Sequence, residues 1–445
     1  MNTRPPIESP SPTVVLSITF NDDCSCFAVG HSTGFCIYHS GTCQLKASRD
    51  FNAGIGLVQM MGKANYLGIV GGGSLPKFAT NKLILWDDLK SKPALEISAL
   101  TPVRGVQLSK ERIVVVLQNS VRVYKFAKPP SLVAAYETAA NLWGACCMSQ
   151  RRIAFPGRTP GHVQLVEIAT GNVSIIPAHS SALRAIGLSR DGELLATASE
   201  MGTLIRVFST ASCARVCELR RGIDPAAIFS LAFSPSGAQL ACTSDKSTLH
   251  VFDVPGGRRG GINSGGGNAQ PGRQTQTQTG QQQQQQQQQQ GHMNAPPGPR
   301  GPRLMAASNN NAGGVTDTGG FGGIVSGGGA SSVSGGGNTT KWGILSKLPL
   351  MPRMFSDVYS FASVAFEAGQ EPLQVGGIPI SSISGSTTLG TSRPPKGVIG
   401  WLDEGSLLVV GGGQDARWER FVIQQGQDGN RVCVREGWKR YLGST

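Results

Sequence analysis

Apolar residues in this chain come in short runs of four to six positions separated by polar turns, and two stretches repeat the pattern closely. "ALRAIGLSRDGELLATASEMGTLIRVFST" starts at Ala182, and "AIFSLAFSPSGAQLACTSDKSTLHVFDV" starts at Ala227. Each reads as an apolar strand, a Ser-x-x-Gly turn, a second apolar strand, a polar turn and a third strand ending near Phe. The two starts lie about 45 residues apart, a spacing typical of one blade in a radially repeated β-fold.

Weaker copies follow the same rhythm. They begin near Val14, Gly56, Gly105, Gly144 and Gly397, which makes about seven units. Helical periodicity is nearly absent, so the pattern predicts an all-β chain: a seven-bladed, WD40-like β-propeller. Closing seven sheets into a ring leaves no long exposed edge, which is the physical reason to build one.

The low hydrophobic share, 39% with 60 glycines, traces to inserts rather than to a weak core. Residues 1–12 are polar and Pro-rich. Residues 256–340 are rich in Gly, Gln, Asn and Ser, with a polyglutamine run at 281–290; such a segment cannot bury enough apolar surface to fold. It interrupts blade six, so that 13–255 holds blades one to six up to the interruption and 341–369 supplies the last strand of blade six, within "VYSFASVAF". A second flexible insert spans 370–396, and 397–445 is blade seven with the C-terminus.

Charge and chemistry narrow the function. The net charge of +13 suits an acidic partner. No apolar run reaches about 18 residues, so no transmembrane helix is expected. The ten cysteines form no C-x-x-C pair and no zinc spacing, and read as reduced thiols of a cytosolic protein. The glycine runs at 71–73 and 411–413 lack the Gly-Lys-Ser/Thr of a phosphate loop, and no nucleophile–base set stands out. No catalytic residue, metal or cofactor is expected. The "PGGRRGG" stretch at 255–261 suggests an Arg-Gly box, but aromatic stacking platforms are missing, so nucleic-acid binding is not expected either.

The candidate chemistry lies in "ELRRGID", residues 218–224. Adjacent side chains on a strand point to opposite sides, so Arg220 and Arg221 serve two pockets rather than one, and Gly222 is read as the residue that lets the chain turn. Blade five offers His179, Ser199, Thr203 and Arg206. Blade six offers Ser244, Lys246, Thr248 and His250. Guanidinium groups with hydroxyl and imidazole donors suit phosphate oxygens; the alternative is that the Ser, Thr and His residues lock the strands by internal hydrogen bonds in a WD-repeat protein-interaction scaffold that binds no lipid.

At these residues the chain resembles the PROPPIN family, the seven-bladed WD-repeat phosphoinositide effectors that include the animal WIPI proteins. The hallmark Phe/Leu-Arg-Arg-Gly appears as Leu219-Arg220-Arg221-Gly222. "LGIVGGGSLPKFATNKLILWDDLK" is similar to the branch holding the yeast Hsv-type proteins and animal WIPI three and four, so a fungal member of that branch is expected. The resemblance implies binding of phosphatidylinositol 3-phosphate and phosphatidylinositol 3,5-bisphosphate at two rim sites, and a cytoplasmic protein peripherally attached to vacuole, endosome or pre-autophagosomal membranes. It also implies a role in autophagy and vesicle traffic, with the large lipid-transfer protein of autophagy as partner on loops of blades two and three, near Asn81, Asp87 and Asp88. A monomer in solution is expected. The blade-six loop is implied to enter the bilayer, here through Trp342, Ile344 and Leu345; residues 256–346 carry a net charge of roughly +5, and each basic residue near an anionic surface contributes about 1 kcal/mol.

Overall fold

The computed structural model describes residues 13–255, 358–367, 396–412 and 416–442, with the backbone alone at 374–375 and 378–379. Every regular element among them is a β-strand. The strands group into seven four-stranded antiparallel meanders arranged as a seven-bladed propeller. The blades span 15–50, 55–98, 105–137, 147–177, 183–220, 228–253 with 362–365, and 398–440. The first strand of each blade lies innermost, and most successive first strands touch around the central axis.

The apolar alternation read from the sequence becomes a set of cores between neighbouring blades. Ile205 and Val207 of blade five pack with Ile228, Leu240 and Phe252 of blade six. Phe208, on the opposite face of the same strand, packs with Ala154 and Val163 of blade four. Each blade is thus apolar on both faces, and its charged residues are pushed to the strand ends and the outermost strand.

Blades one and seven close the ring without sharing a strand among the described residues. Val29 and Tyr38 join Leu408, Trp418 and Tyr441 in one core. The Trp418 indole N–H donates to the Ser40 carbonyl at 2.8 Å, and the Tyr38 hydroxyl donates to the Tyr441 carbonyl at 2.8 Å. Phe27 meets the Tyr441 ring edge-on at 5.5 Å; such pairs contribute about 0.5–1.5 kcal/mol beyond their buried area.

The segment "VYSFASVAF" divides where one strand was expected. Val358–Tyr359 adds to the outer edge of blade five, parallel to Leu219 and Arg220. Only Ala362–Ala365 forms the fourth strand of blade six, antiparallel to Thr248–Asp253. Within 370–396, Gln374–Val375 and Ile378–Pro379 form a short antiparallel pair. Residues 1–12 and 256–340, and the proposed bilayer residues Trp342, Ile344 and Leu345, lie outside the described residues. None of the ten cysteines forms a disulfide.

Candidate functional site

The seven blades share one backbone device. The residue just after each fourth strand donates its N–H to a carbonyl in the loop between the second and third strands. The donors are Phe51, Ala99, Thr138, Ala178, Arg221, Phe366 and Tyr441, at 2.8–3.2 Å. Most of these side chains are buried apolar or small residues; the exceptions are Thr138, which is polar but buried, and Phe51, which is half-buried. Arg221 alone among them is charged, and it is 8% exposed. A slot that the fold fills elsewhere with Phe, Tyr or Ala therefore holds a guanidinium in blade five.

That guanidinium is aimed by backbone. Its Nε donates to the Gly202 carbonyl at 2.7 Å, and one Nη donates to the Asp224 carbonyl. Among the described residues no carboxylate is paired with it. Gly202 has φ +59°, and a Cβ there would lie 1.8 Å from the Ala226 carbonyl oxygen. Only glycine fits this turn.

The alternation along the strands places two grooves. Arg206 lies on the same face of its strand as Phe208, toward blade four. Across the ladder it pairs in register with Glu218. Its Nε donates to Glu218 at 2.7 Å and its Nη1 to the Ala178 carbonyl at 2.5 Å. Arg215 reaches the same carboxylate at 3.1 Å. Arg220, two residues beyond Glu218, follows on that face and is half-buried. His179 lines this four–five groove, with Nε2 at 3.0 Å from the Thr197 hydroxyl. Ser199 is buried at its end, and Thr203, half-buried, supplies the carbonyl that accepts the Arg221 N–H.

The five–six groove is the counterpart. Phe252 packs against blade five, so Thr248 and His250 on the same strand face that way too. His250 Nε2 lies 3.1 Å from the Thr248 hydroxyl, and Nδ1 lies 3.2 Å from the Ser360 hydroxyl. Ser244 is fully buried, and Lys246 is exposed on the adjoining loop. Both histidines are held neutral. Burial first, and then the Arg206 charge, pushes His179 down to about 4; burial first, and then the Arg221 charge, does the same to His250. The Arg221 charge thus bears on blade six, whereas Arg220 lies on the side facing blade four.

One expectation fails. Gly222 does not relieve a crowded turn: its φ lies outside the left-handed region, and a Cβ there would meet nothing within 4 Å. The strained glycine of this cluster is Gly202. The sequence reading also missed Glu218, Thr197 and Ser360. Glu218 was discoverable from the ladder, since it stands opposite Arg206 once the strands are paired. Asn81, Asp87 and Asp88 are engaged internally: Asn81 donates to the Ala99 carbonyl at 2.9 Å, the Asp87 carboxylate accepts the Lys90 N–H at 3.2 Å, and Asp88 pairs with Arg49 at 3.0 Å. Among the described residues no cluster of His, Cys, Asp and Glu could hold a metal ion, and no helix is long and apolar enough to cross a membrane.

The profile of the PROPPIN family matches residues 14–257, more than half of the chain and including both grooves' arginines. The chain belongs to the PROPPIN family. It is 54% identical over 454 residues to SVP1-like protein 2 of Neurospora crassa, covering both chains completely. It is 48% identical over 386 residues to SVP1-like protein 2 of Emericella nidulans, covering 86% of this chain and 99% of the relative. Two solved structures share its fold. Kluyveromyces lactis Hsv2 aligns with a TM-score of 0.61 at 19% identity, over 96% of this PROPPIN and 99% of that chain. KlAtg21, solved in complex with the coiled coil of AgAtg16, aligns with a TM-score of 0.56 at 16% identity over 96% and 99%. This chain is therefore a fungal member of a family of phosphoinositide-binding, non-catalytic propellers.

Proposed function

We propose that the two grooves each bind the headgroup of a phosphoinositide, phosphatidylinositol 3-phosphate or phosphatidylinositol 3,5-bisphosphate, and thereby hold the propeller edge-on to vacuolar, endosomal or pre-autophagosomal membranes. The observation that carries this reading is Arg221: a cation without a paired acid among the described residues, in a slot that other blades fill with apolar or small side chains. Such a charge costs several kcal/mol to bury, a cost that an anionic ligand offsets. Arg206 and His179 on one side, and His250, Thr248 and Lys246 on the other, supply further donors. Gly222 adds no side chain over the loop, which leaves backbone open to a ligand. Two grooves on one rigid rim bind two lipids with the second at high effective concentration, so modest single-site affinities combine.

Flotation with liposomes containing phosphatidylinositol 3-phosphate tests the reading. Replacing Arg220 and Arg221 together with Thr abolishes flotation, and each single replacement keeps part of it. Undiminished flotation of the double variant refutes the assignment.

The membrane-bound propeller recruits autophagy machinery, with the large lipid-transfer protein docking on loops of blades two and three. Supporting this, Leu75 and Leu100 on those loops are 66% and 88% exposed. Leu75→Asp with Leu100→Asp is expected to lose co-precipitation of that protein while flotation persists; retained co-precipitation moves the docking site elsewhere.

A further inference from the structure

The first strands line a cavity of about 130 Å³ near the ring axis, and none of the groove residues takes part in its lining. Ser17 and Thr19 of blade one, Gln59 of blade two, Arg104 and Gln107 at the start of blade three, and Ser230 of blade six bring its polar groups together. No Asp or Glu lines it among the described residues. By the same measure a water needs about 10–15 Å³, so the space holds several waters or one small polyatomic ion.

Arg104 and Ser17 are each 7% exposed. The Arg104 Nε and the Ser17 hydroxyl have no hydrogen-bond partner among the described residues. Of the five N–H bonds a guanidinium carries, one is used by the side chain of Gln118, at 3.4 Å from Nη2. The remaining polar groups are largely committed. Thr19 donates to the Val58 carbonyl at 2.5 Å, and Gln107 donates to the Cys146 carbonyl at 3.2 Å. Ser230 accepts the Ile399 N–H at 3.2 Å, which leaves its own O–H to give. The lining thus offers a fixed positive charge and unused donors, and no negative charge. A buried charge without a counter-charge is costly, and the complementary guest is one that only accepts hydrogen bonds.

We infer that this axial cavity is an oxyanion site, with Arg104 as its charged donor and the Ser17 hydroxyl as a second, taking a tetrahedral oxyanion such as phosphate, free or as the end of a small phosphomonoester. The site is independent of the rim grooves, and Arg220 and Arg221 play no part in it.

The test is thermal denaturation of the full chain in anion-poor buffer, with inorganic phosphate added at constant ionic strength. Wild type and the Arg220→Thr/Arg221→Thr variant both gain a saturable rise in Tm. In the Arg220→Thr/Arg221→Thr background Arg104→Met gains none, and without phosphate it melts no lower than that background; Arg104→Lys in the same background keeps part of the response. A larger rise with glycerol 3-phosphate identifies the phosphomonoester as the guest, and an equal or smaller one identifies the free ion. The inference is overturned if, in the Arg220→Thr/Arg221→Thr background, Arg104→Met responds as fully as that background does, if wild type does not respond, if sodium chloride alone produces the same rise, or if the response disappears with Arg220 and Arg221. Should Arg104→Met fail to fold, wild-type crystals grown with selenate decide: an anomalous peak hydrogen-bonded to Arg104 supports the site, and an empty cavity overturns it.

Discussion

Arg221→Met separates what this residue does for the fold from what it does for a ligand. In the folded chain the guanidinium makes two bonds to carbonyls, one of them to the buried Gly202. Losing the Gly202 bond leaves that oxygen without a donor, at a cost of about 1–3 kcal/mol. Asp224 is exposed, so its carbonyl finds water and costs little. Against this stand two gains. The folded state no longer buries a cation that lacks a paired acid among the described residues, which returns several kcal/mol. Methionine in a slot 8% exposed adds roughly 1.5–3 kcal/mol of apolar burial. The sum is near zero or favourable, and it predicts a Tm within about 4 °C of wild type or above it. Lipid binding behaves oppositely. Removing charge-assisted bonds to a phosphate costs about 1.5–3 kcal/mol, roughly a 10–150-fold loss in affinity at that groove. Thermal denaturation and vesicle sedimentation on the same preparations read the two quantities. A fall in Tm of more than about 8 °C would show that Arg221 is chiefly a clamp between two loops, and the argument from its burial would fail.

Two further outcomes follow from the grooves. Glu218→Gln keeps a hydrogen-bonding partner for Arg206 but removes the carboxylate that competes with a phosphate; affinity for phosphatidylinositol 3-phosphate vesicles is expected to rise about fivefold, the equivalent of roughly 1 kcal/mol, and an unchanged or weaker affinity would place the headgroup away from Glu218. Acid is expected to destabilise the propeller through His179 and His250. Each has a folded pKa of about 4, below the ordinary 6.5, so between those values the unfolded chain binds protons that the folded chain refuses. Stability is therefore full above pH 6.5 and falls as the pH drops toward 4, by at most about 3 kcal/mol per histidine and less after solvent screening. Urea denaturation at pH 7.5 and pH 5.0 measures this; His179→Gln with His250→Gln flattens the dependence, and an equally steep loss in that variant assigns it to other groups.

The ring was legible because its repeats carry two independent local signals. Apolar alternation marks the strands, and the Ser-x-x-Gly turns mark their joins: Gly192 and Gly237 both have φ +75°, and the Ser189 and Ser234 hydroxyls accept the Leu194 and Gln239 N–H groups. What stayed hidden depends on pairing across distance. Val358–Tyr359 and Ala362–Ala365 look like one apolar strand, but the chain switches from blade five to blade six between them, and Ser360 at the switch faces His250. Glu218 looks like an ordinary outer-strand acid until the register sets it against Arg206. Gly222 drew attention because it follows two arginines, while the backbone demand falls on Gly202, twenty residues earlier, where two loops touch.

The same register explains why the paired grooves sit at blades five and six. Two residues before the closing aromatic of the third strand stand Cys36, Ile84, Arg122, Arg206 and His250 in blades one, two, three, five and six. Blades one and two are excluded by Cys36 and Ile84, which offer no phosphate donor of comparable strength. Blade three has its arginine, but the last residue of its fourth strand, the position of Arg220, is Glu137, which pairs with Arg158 at 2.7 Å; the following slot holds Thr138 in place of Arg221. In blade six these two positions are Ala365 and Phe366, so its fourth strand ends without a cation, and Arg221 comes from the connector out of blade five. On the proposed reading, two anion seats arise where basic residues fill the third-strand position of two successive blades and a pair of arginines ends the fourth strand between them. Neighbouring strand residues face opposite sides, so that pair reaches both seats only from the blade they share.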